Sequence, residues 1–274
     1  MKTWFITGAS RGLGALITEE VLASGGDAVV ATARDPSSFA DRPRLLKLPL
    51  DVGDEAQARD AVARAIEKFG SIDVLVNNAG YGLLGAIEEA SAVETEQVFA
   101  TNVFGPLNVT RAVLPHMRAR RCGHIVNMSS VGGYAAHPGW GVYCATKFAI
   151  EGISEALSIE LAPLGIHATV VEPGYFRTDF LSAQSLRSTT KRIEDYADTV
   201  GETRTFAAAA NHRQPGDPQR LAQAIVQLVA ARKPPTRLAL GSDTVACIEK
   251  KHRHVERELD LWRSLFLSTD FART

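Results

Sequence analysis

The sequence predicts an α/β fold: one doubly wound domain over residues 1–274, with a parallel sheet of about seven strands and helices on both faces. Three observations lead there. Apolar strand-like runs alternate with helical periodicity, the helical stretches carry end signals, and the first run opens directly into a glycine turn. The strand-like runs lie at 4–7, 28–33, 45–50, 74–77, 124–128, 167–172 and 237–240, and the helical patterns near 13–25, 54–69, 91–120, 141–162 and 218–231. Such alternation builds parallel strands joined by right-handed crossovers, which place helices on both faces. Ser91 with Glu94 offers a capping box. Asp217 can cap a helix whose first position is Pro218. Gly25 and Gly70 follow the last periodic residues of their helices.

Two segments break the rhythm. Residues 178–216 separate a strand from the next helix and mix Ser, Thr, Ala and charge. A connection this long inside a compact domain is either functional or disordered. It leaves the carboxyl edge of a strand, where ligands bind in such sheets, so it reads as a substrate lid. The stretch 244–266 is helical, with Ile248, Val255, Leu259, Trp262, Leu265 and Phe266 on its apolar side. It is read as a helix packed on the core, a subunit contact or a lid partner.

Composition narrows the function classes. The chain is 45% hydrophobic and 22% charged, enough to fill a sizeable core. Thirty basic against 31 acidic residues give a net charge of −1, so neither nucleic acid nor an anionic membrane is an expected partner. Cys122, Cys144 and Cys247 are too few and too scattered for a disulfide framework or a zinc site. No metal is expected, and free thiols fit a reducing compartment. No signal-peptide pattern and no apolar run of ~18 residues is present; the expected location is cytoplasmic.

The first strand runs into Thr7-Gly8-Ala9-Ser10-Arg11-Gly12-Leu13-Gly14. Gly8 allows a sharp turn, Gly12 removes a Cβ where backbone approaches a pyrophosphate, and Gly14 allows close packing of the helix. The helix start then offers free N–H groups and a positive dipole end to phosphates. This is the Rossmann arrangement, with glycines spaced G-x-x-x-G-x-G. Further motifs follow in order: Asp51-Val52, Asn77-Asn78-Ala79-Gly80, Thr101-Asn102-Val103-Phe104-Gly105, Ser129-Ser130, Tyr143-x-x-x-Lys147 and Pro173-Gly174. On these motifs, over about residues 3–178, the chain resembles the short-chain dehydrogenase/reductase family. Gly80-Tyr81-Gly82, the Thr101–Gly105 motif and the run from Tyr143 to Ala149 resemble its 17β-hydroxysteroid-dehydrogenase-like and retinol-dehydrogenase-like subgroup.

The resemblance implies an enzyme that moves a hydride between NADP(H) and a carbonyl or secondary alcohol. Tyr143 would be general acid and base. Lys147, one turn on, would lower the phenol's pKa and hold the nicotinamide ribose. Ser130, thirteen residues before Tyr143, would bond the substrate oxygen, and Asn102 would anchor a water leading from Lys147. Gly8, Ser10, Arg11, Gly12, Leu13 and Gly14 would hold the pyrophosphate end. Asp51 and Val52 would meet adenine, Asn78, Ala79 and Gly80 the adenosine side, and Pro173, Gly174 and Thr178 the nicotinamide. His137 and Trp140 fall in a stretch that lines the substrate pocket in relatives. Together with Tyr134, Phe176, Phe180 and Leu181, Trp140 suggests a largely apolar one.

NADP(H) follows from the second strand, which ends at Ala33 where an NAD-preferring relative has an acid. Arg34 comes next, and Arg11 can reach the same 2′-phosphate. Relatives pair through helices near 91–120 and 141–162, so a homodimer or homotetramer is expected. Two other readings stand beside this one. A nucleotide-sugar epimerase of the extended family would carry a G-x-x-G-x-x-G turn and a longer C-terminal domain. A catalytically idle NADP(H)-binding regulatory protein would lack one of the four reacting residues.

Overall fold

A computed structural model gives the fold for residues 1–271. In chain order the elements are β1 (Thr3–Ile6), α1 (Gly12–Ala23), β2 (Ala28–Ala33), β3 (Leu45–Pro49), α2 (Glu55–Phe69), β4 (Val74–Asn77), β5 (Gly82–Leu84), α3 (Ala92–Phe99), α4 (Gly105–Arg120), β6 (Gly123–Met128), α5 (Gly141–Leu161), β7 (Ile166–Pro173), β8 (Leu186–Ser188), α6 (Glu202–Ala210), α7 (Pro218–Ala230), β9 (Arg237–Leu240) and α8 (Ser242–Leu267). Seven strands form one parallel sheet in the order β3-β2-β1-β4-β6-β7-β9. The order reverses between β1 and β4, which opens a crevice at the carboxyl ends of those strands.

Alternation along β1 shows how the sheet divides the core. Trp4 and Ile6 face the cluster under α1 and α7 with Ile17, Leu221 and Ile225. Phe5 faces the other way, into the cluster with Val62, Val109, Met117 and Ile125 from α2, α4 and β6. All three β1 residues are at most 1% exposed, so both faces of the sheet are dry. The end signals read from sequence are in place. Ser91 and Glu94 form a reciprocal capping box, Asp217 accepts from Gln219 and Arg220, and Gly70 ends α2 at φ +80°.

Three features depart from the sequence reading. The stretch 91–120 is two helices. A single wide turn over Ala100–Phe104 separates α3 from α4, and the Gly105 N–H donates to the Ala100 carbonyl. Pro106 cannot donate to the Asn102 carbonyl, so an ordinary turn has no bond to make there. The wide turn points Asn102 and Val103 inward. The stretch 178–216 is neither structureless nor featureless. It forms β8, which pairs in parallel with β5 through Gly82–Leu186 and Leu84–Ser188, and then α6. Leu181, Val200 and Ala207 are buried. Finally, α8 runs a full 26 residues, and every described residue from His252 onward is exposed.

Glu89 pins the 178–216 segment. It is buried and accepts from the Ala86 N–H at 2.7 Å, from the Ile193 N–H at 2.9 Å and from the Arg204 guanidinium. Those three donors outweigh its burial and hold the carboxyl below its ordinary value. Glu89→Ala strands an arginine and two backbone donors in a dry place, so it should lower unfolding stability by about 3 kcal/mol. Chemical denaturation measures this, with limited proteolysis reporting cleavage between 186 and 206. A loss under 1 kcal/mol with no new cleavage would mean the segment is held elsewhere.

Candidate active site

The crevice is a single open cleft of about 1140 Å³. Every residue that the sequence assigned to cofactor or chemistry lines it except Gly14 and Asn102, which stand behind its wall. Gly8, at φ +63°, brings the turn so close to Ala79 that a Cβ would lie 2.8 Å from its Cα. Gly14 sits under the turn, and a Cβ there would meet the Asn78 amide and the Gly8 carbonyl at 2.5 Å. Its role is therefore to close the turn against Asn78 rather than to pack the helix on the sheet. Asn78 completes this by donating to the carbonyls of Thr7 and Gly8 at 2.9 and 3.0 Å. In front of Gly12 the space is open. The first turn of α1 has neither a side-chain cap nor an acidic residue, whereas α2, α3 and α7 are all capped by side chains. Its free N–H groups are left for an anion in the cleft.

Beside this turn, α5 and the end of β6 bring Ser130, Tyr143 and Lys147 together. Tyr143 is 7% exposed, and burial pushes its phenol above its ordinary value, opposed by the Ser130 hydroxyl beside it. Lys147 donates to the Met128 carbonyl at 2.8 Å, with its ammonium 5.7 Å from the centre of the Tyr143 ring. Burial pushes this lysine down to about 8, opposed by Glu151 one turn further along. In the chain alone, burial outweighs the lowering of the phenol expected from Lys147. Desolvation dominates, and the ammonium is committed to Met128. Ser130 accepts from the Gly132 N–H at 3.1 Å, which orients its hydroxyl at the start of a short turn. Asn102 accepts from the Tyr81 N–H at 3.0 Å and donates to the Tyr81 carbonyl at 2.9 Å and to Thr146 at 3.2 Å, which leaves one lone pair on its oxygen for the expected water. It clamps the strand of backbone that carries Gly80 past Lys147.

At the other side of Tyr143 the wall is apolar. Trp140, Tyr143 and Phe180 pack ring on ring at 5.6–6.5 Å, with Leu181 and Leu186 alongside. Tyr134, expected there from the sequence, is not. Its hydroxyl meets His252 of α8 and its ring lies under Arg237. Near the glycine turn the cleft is basic. Arg34 and Arg11 are both exposed along it. Asp35 accepts from the Ser37 N–H at 2.9 Å and makes no ion pair with Arg34 among the described residues. Arg11 also donates to the Gln184 carbonyl at 2.8 Å.

A match over residues 2–189 to the short chain dehydrogenase family model decides the lineage. The chain belongs to the short-chain dehydrogenase family. An oxidoreductase of Botryotinia fuckeliana, BOA17, is 36% identical over 98% of this short-chain dehydrogenase and 99% of its own length. A 3-ketodihydrosphingosine reductase of Bacteroides thetaiotaomicron is 41% identical over 86% of each chain. Among solved structures, a short-chain dehydrogenase from Streptomyces avermitilis superimposes with a TM-score of 0.92 at 40% identity, covering 98% and 99% of the two chains. One from Burkholderia phymatum in complex with NAD gives 0.82 at 26% identity, covering 94% and 95%. A serine dehydrogenase complexed with NADP+ gives 0.72 at 27%, covering 87% and 94%. The protein is thus an oxidoreductase of a family that uses nicotinamide dinucleotides. Among the described residues no helix is long and apolar enough to cross a membrane.

Residues missed by sequence reasoning are those set by tertiary contact. Arg187, from β8, lies over the Tyr81 ring at 4.7 Å. Asp243, at the start of α8, accepts from the Tyr175 N–H at 2.7 Å and fills the space beside Gly174. Glu151 was legible in principle as the next member of the Tyr143, Lys147 row. The displaced lysine gives a direct check. Side-chain 13C NMR of lysine-labelled protein should show one resonance with a midpoint near pH 8, absent in Lys147→Met. All lysines titrating together near ~10.4 would show that Lys147 is hydrated.

Proposed function

We propose that this short-chain dehydrogenase is an NADP(H)-dependent enzyme that interconverts a carbonyl and a secondary alcohol on a mainly apolar substrate, with Tyr143 as general acid and base. The observation that carries this is the state of Tyr143. It is a buried phenol held protonated, flanked by a hydroxyl on one side and an ammonium on the other, at the edge of an aromatic compartment. A protonated donor is what carbonyl reduction needs.

A nicotinamide dinucleotide would supply or accept the hydride. The residues present fit it: uncapped N–H groups at α1 for pyrophosphate, Asp51 and Val52 for adenine, and Asn78, Ala79 and Gly80 for the adenosine side. Pro173, Gly174 and Thr178 would hold the nicotinamide end. In reduction Tyr143 gives its proton to the oxygen on which charge develops, and Ser130 donates to the same oxygen. Lys147, charged below about pH 8, favours the phenolate left behind. Asn102 keeps the Gly80 backbone in register beside it. Trp140, Phe180 and Leu181 would receive the apolar part of the substrate, with the 178–216 segment as its cover. One relative is named for a keto substrate, which agrees with this direction.

For the cofactor, β2 ends at Ala33 with no carboxylate to repel a 2′-phosphate, and Arg34 and Arg11 both line the cleft and would meet that phosphate. Two charge-assisted bonds at roughly 1.5–3 kcal/mol each correspond to at least ~10²-fold preference for NADPH over NADH. Arg34→Ala should weaken NADPH about tenfold or more and leave NADH nearly unchanged, measured as dissociation constants at one salt concentration. Equal affinities in the unmodified protein would remove this assignment. Tyr143→Phe should keep NADPH affinity and lose at least ~10²-fold in turnover on a panel of ketones and aldehydes. More than a tenth of the activity remaining would place the acid elsewhere.

A further inference from the structure

One apolar stripe of α8 runs through two environments. Thr244 is buried, and Ile248 and Lys251 are half-buried against the domain. The same face continues at spacings of three and four residues as Val255, Leu259, Trp262 and Phe266, which are 39, 46, 56 and 47% exposed. A helix with such a stripe ordinarily buries it, and contiguous apolar surface left open marks an interaction site. Between 253 and 267 three arginines balance three acids, so this is not the basic amphipathic helix that lies on anionic lipid.

We propose that a second copy of this chain covers the stripe, the two outer halves of α8 packing antiparallel about a twofold axis. Orientation follows from the domain. It sits on the stripe side of the first turns of α8, so two parallel helices meeting by this face would drive both domains into one space. Reversed helices place each domain beyond the other's tip. Register follows from using every stripe residue. With the axis between Asp260 and Leu261, Val255 meets the partner's Phe266 and Leu259 meets the partner's Trp262, small against large in each layer. The flanking position then sets Glu256 opposite the partner's Arg263, twice by symmetry. Ion pairs within α8 join Arg253 to Glu249, His254 to Glu258 and Arg263 to Asp260. Glu256 has none in its own chain among the described residues, and the antiparallel register provides one. The contact carries no cost of helix nucleation, because the first turns are already held on the domain.

Sedimentation equilibrium of the full chain over a micromolar range tests this. Glu256→Arg or Arg263→Glu alone turns two attractions into two repulsions and should weaken self-association about tenfold or more. The double variant E256R/R263E should restore it. Trp262→Ser should remove this contact, while NADPH binding stays unchanged in all four because the outer half of α8 lies off the cleft. An unmodified protein that is monomeric throughout, single reversals that leave the mass unchanged, or a double variant no better than the singles would each overturn the proposal.

Discussion

Lys147 donates to the Met128 carbonyl at 2.8 Å, and that bond joins α5 to the carboxyl end of β6 inside a dry compartment. The rest of the site is arranged around it. It fixes the ammonium beside Tyr143 on the same helix face, and it brings Ser130, two residues past β6, to the phenol. Removing both groups from water moves them in opposite senses, because burial penalises phenolate and ammonium alike. The phenol rises and the ammonium falls, so near neutral pH both keep their protons. Close to pH 8 it is the lysine that begins to titrate, not the tyrosine. Burial here outweighs what a neighbouring lysine does to make a tyrosine acidic.

Beyond Lys147 the same helix face continues into a second buried charge group. Glu151 and Glu172 both reach Arg237, which enters from β9, and Glu155 holds the outer side of that guanidinium. Burial and the neighbouring Glu172 push the Glu151 carboxyl up to about 7, against Arg237 and Ser129. An ionised Glu151 places a negative charge one turn from Lys147 and favours its ammonium. The edge strand β9 is thereby tied electrostatically to α5 as well as by its ladder to β7.

Much of the fold was legible because periodicity and end signals are local. The seven strands of the main sheet, the caps at Ser91 and Asp217 and the glycine turn were all visible in short windows. The reacting row was legible because Tyr143 and Lys147 are one turn apart on one helix. What failed was whatever depends on residues distant in sequence. The break at Ala100–Phe104 had a local signal in Pro106, but the close seat of Gly105 against Val52, where a Cβ would lie 2.5 Å from a methyl group, did not show in sequence. The β5–β8 pair joins residues a hundred apart through three-residue strands too short to show alternation. Tyr134 was misplaced because nothing near it in sequence announces His252.

The 178–216 segment is moored in large part through its own backbone. The N–H groups of Thr189, Thr190 and Ile193 donate to the Leu84 carbonyl, Glu94 and Glu89 at 2.9–3.0 Å, and the carbonyls of Gln184 and Ser185 accept from Arg11 and Gly82. The segment's own side chains add four ties, from Arg204 to Glu89, Tyr196 to Glu88, Thr190 to Glu94 and Arg187 to Gln97. Mutational drift at cleft-facing positions whose side chains make none of these ties, such as Gln184 and Ser185, can therefore rewrite that wall without loosening the segment. A lineage built this way can exchange one substrate for another by point substitutions, leaving its scaffold and its proton donor untouched.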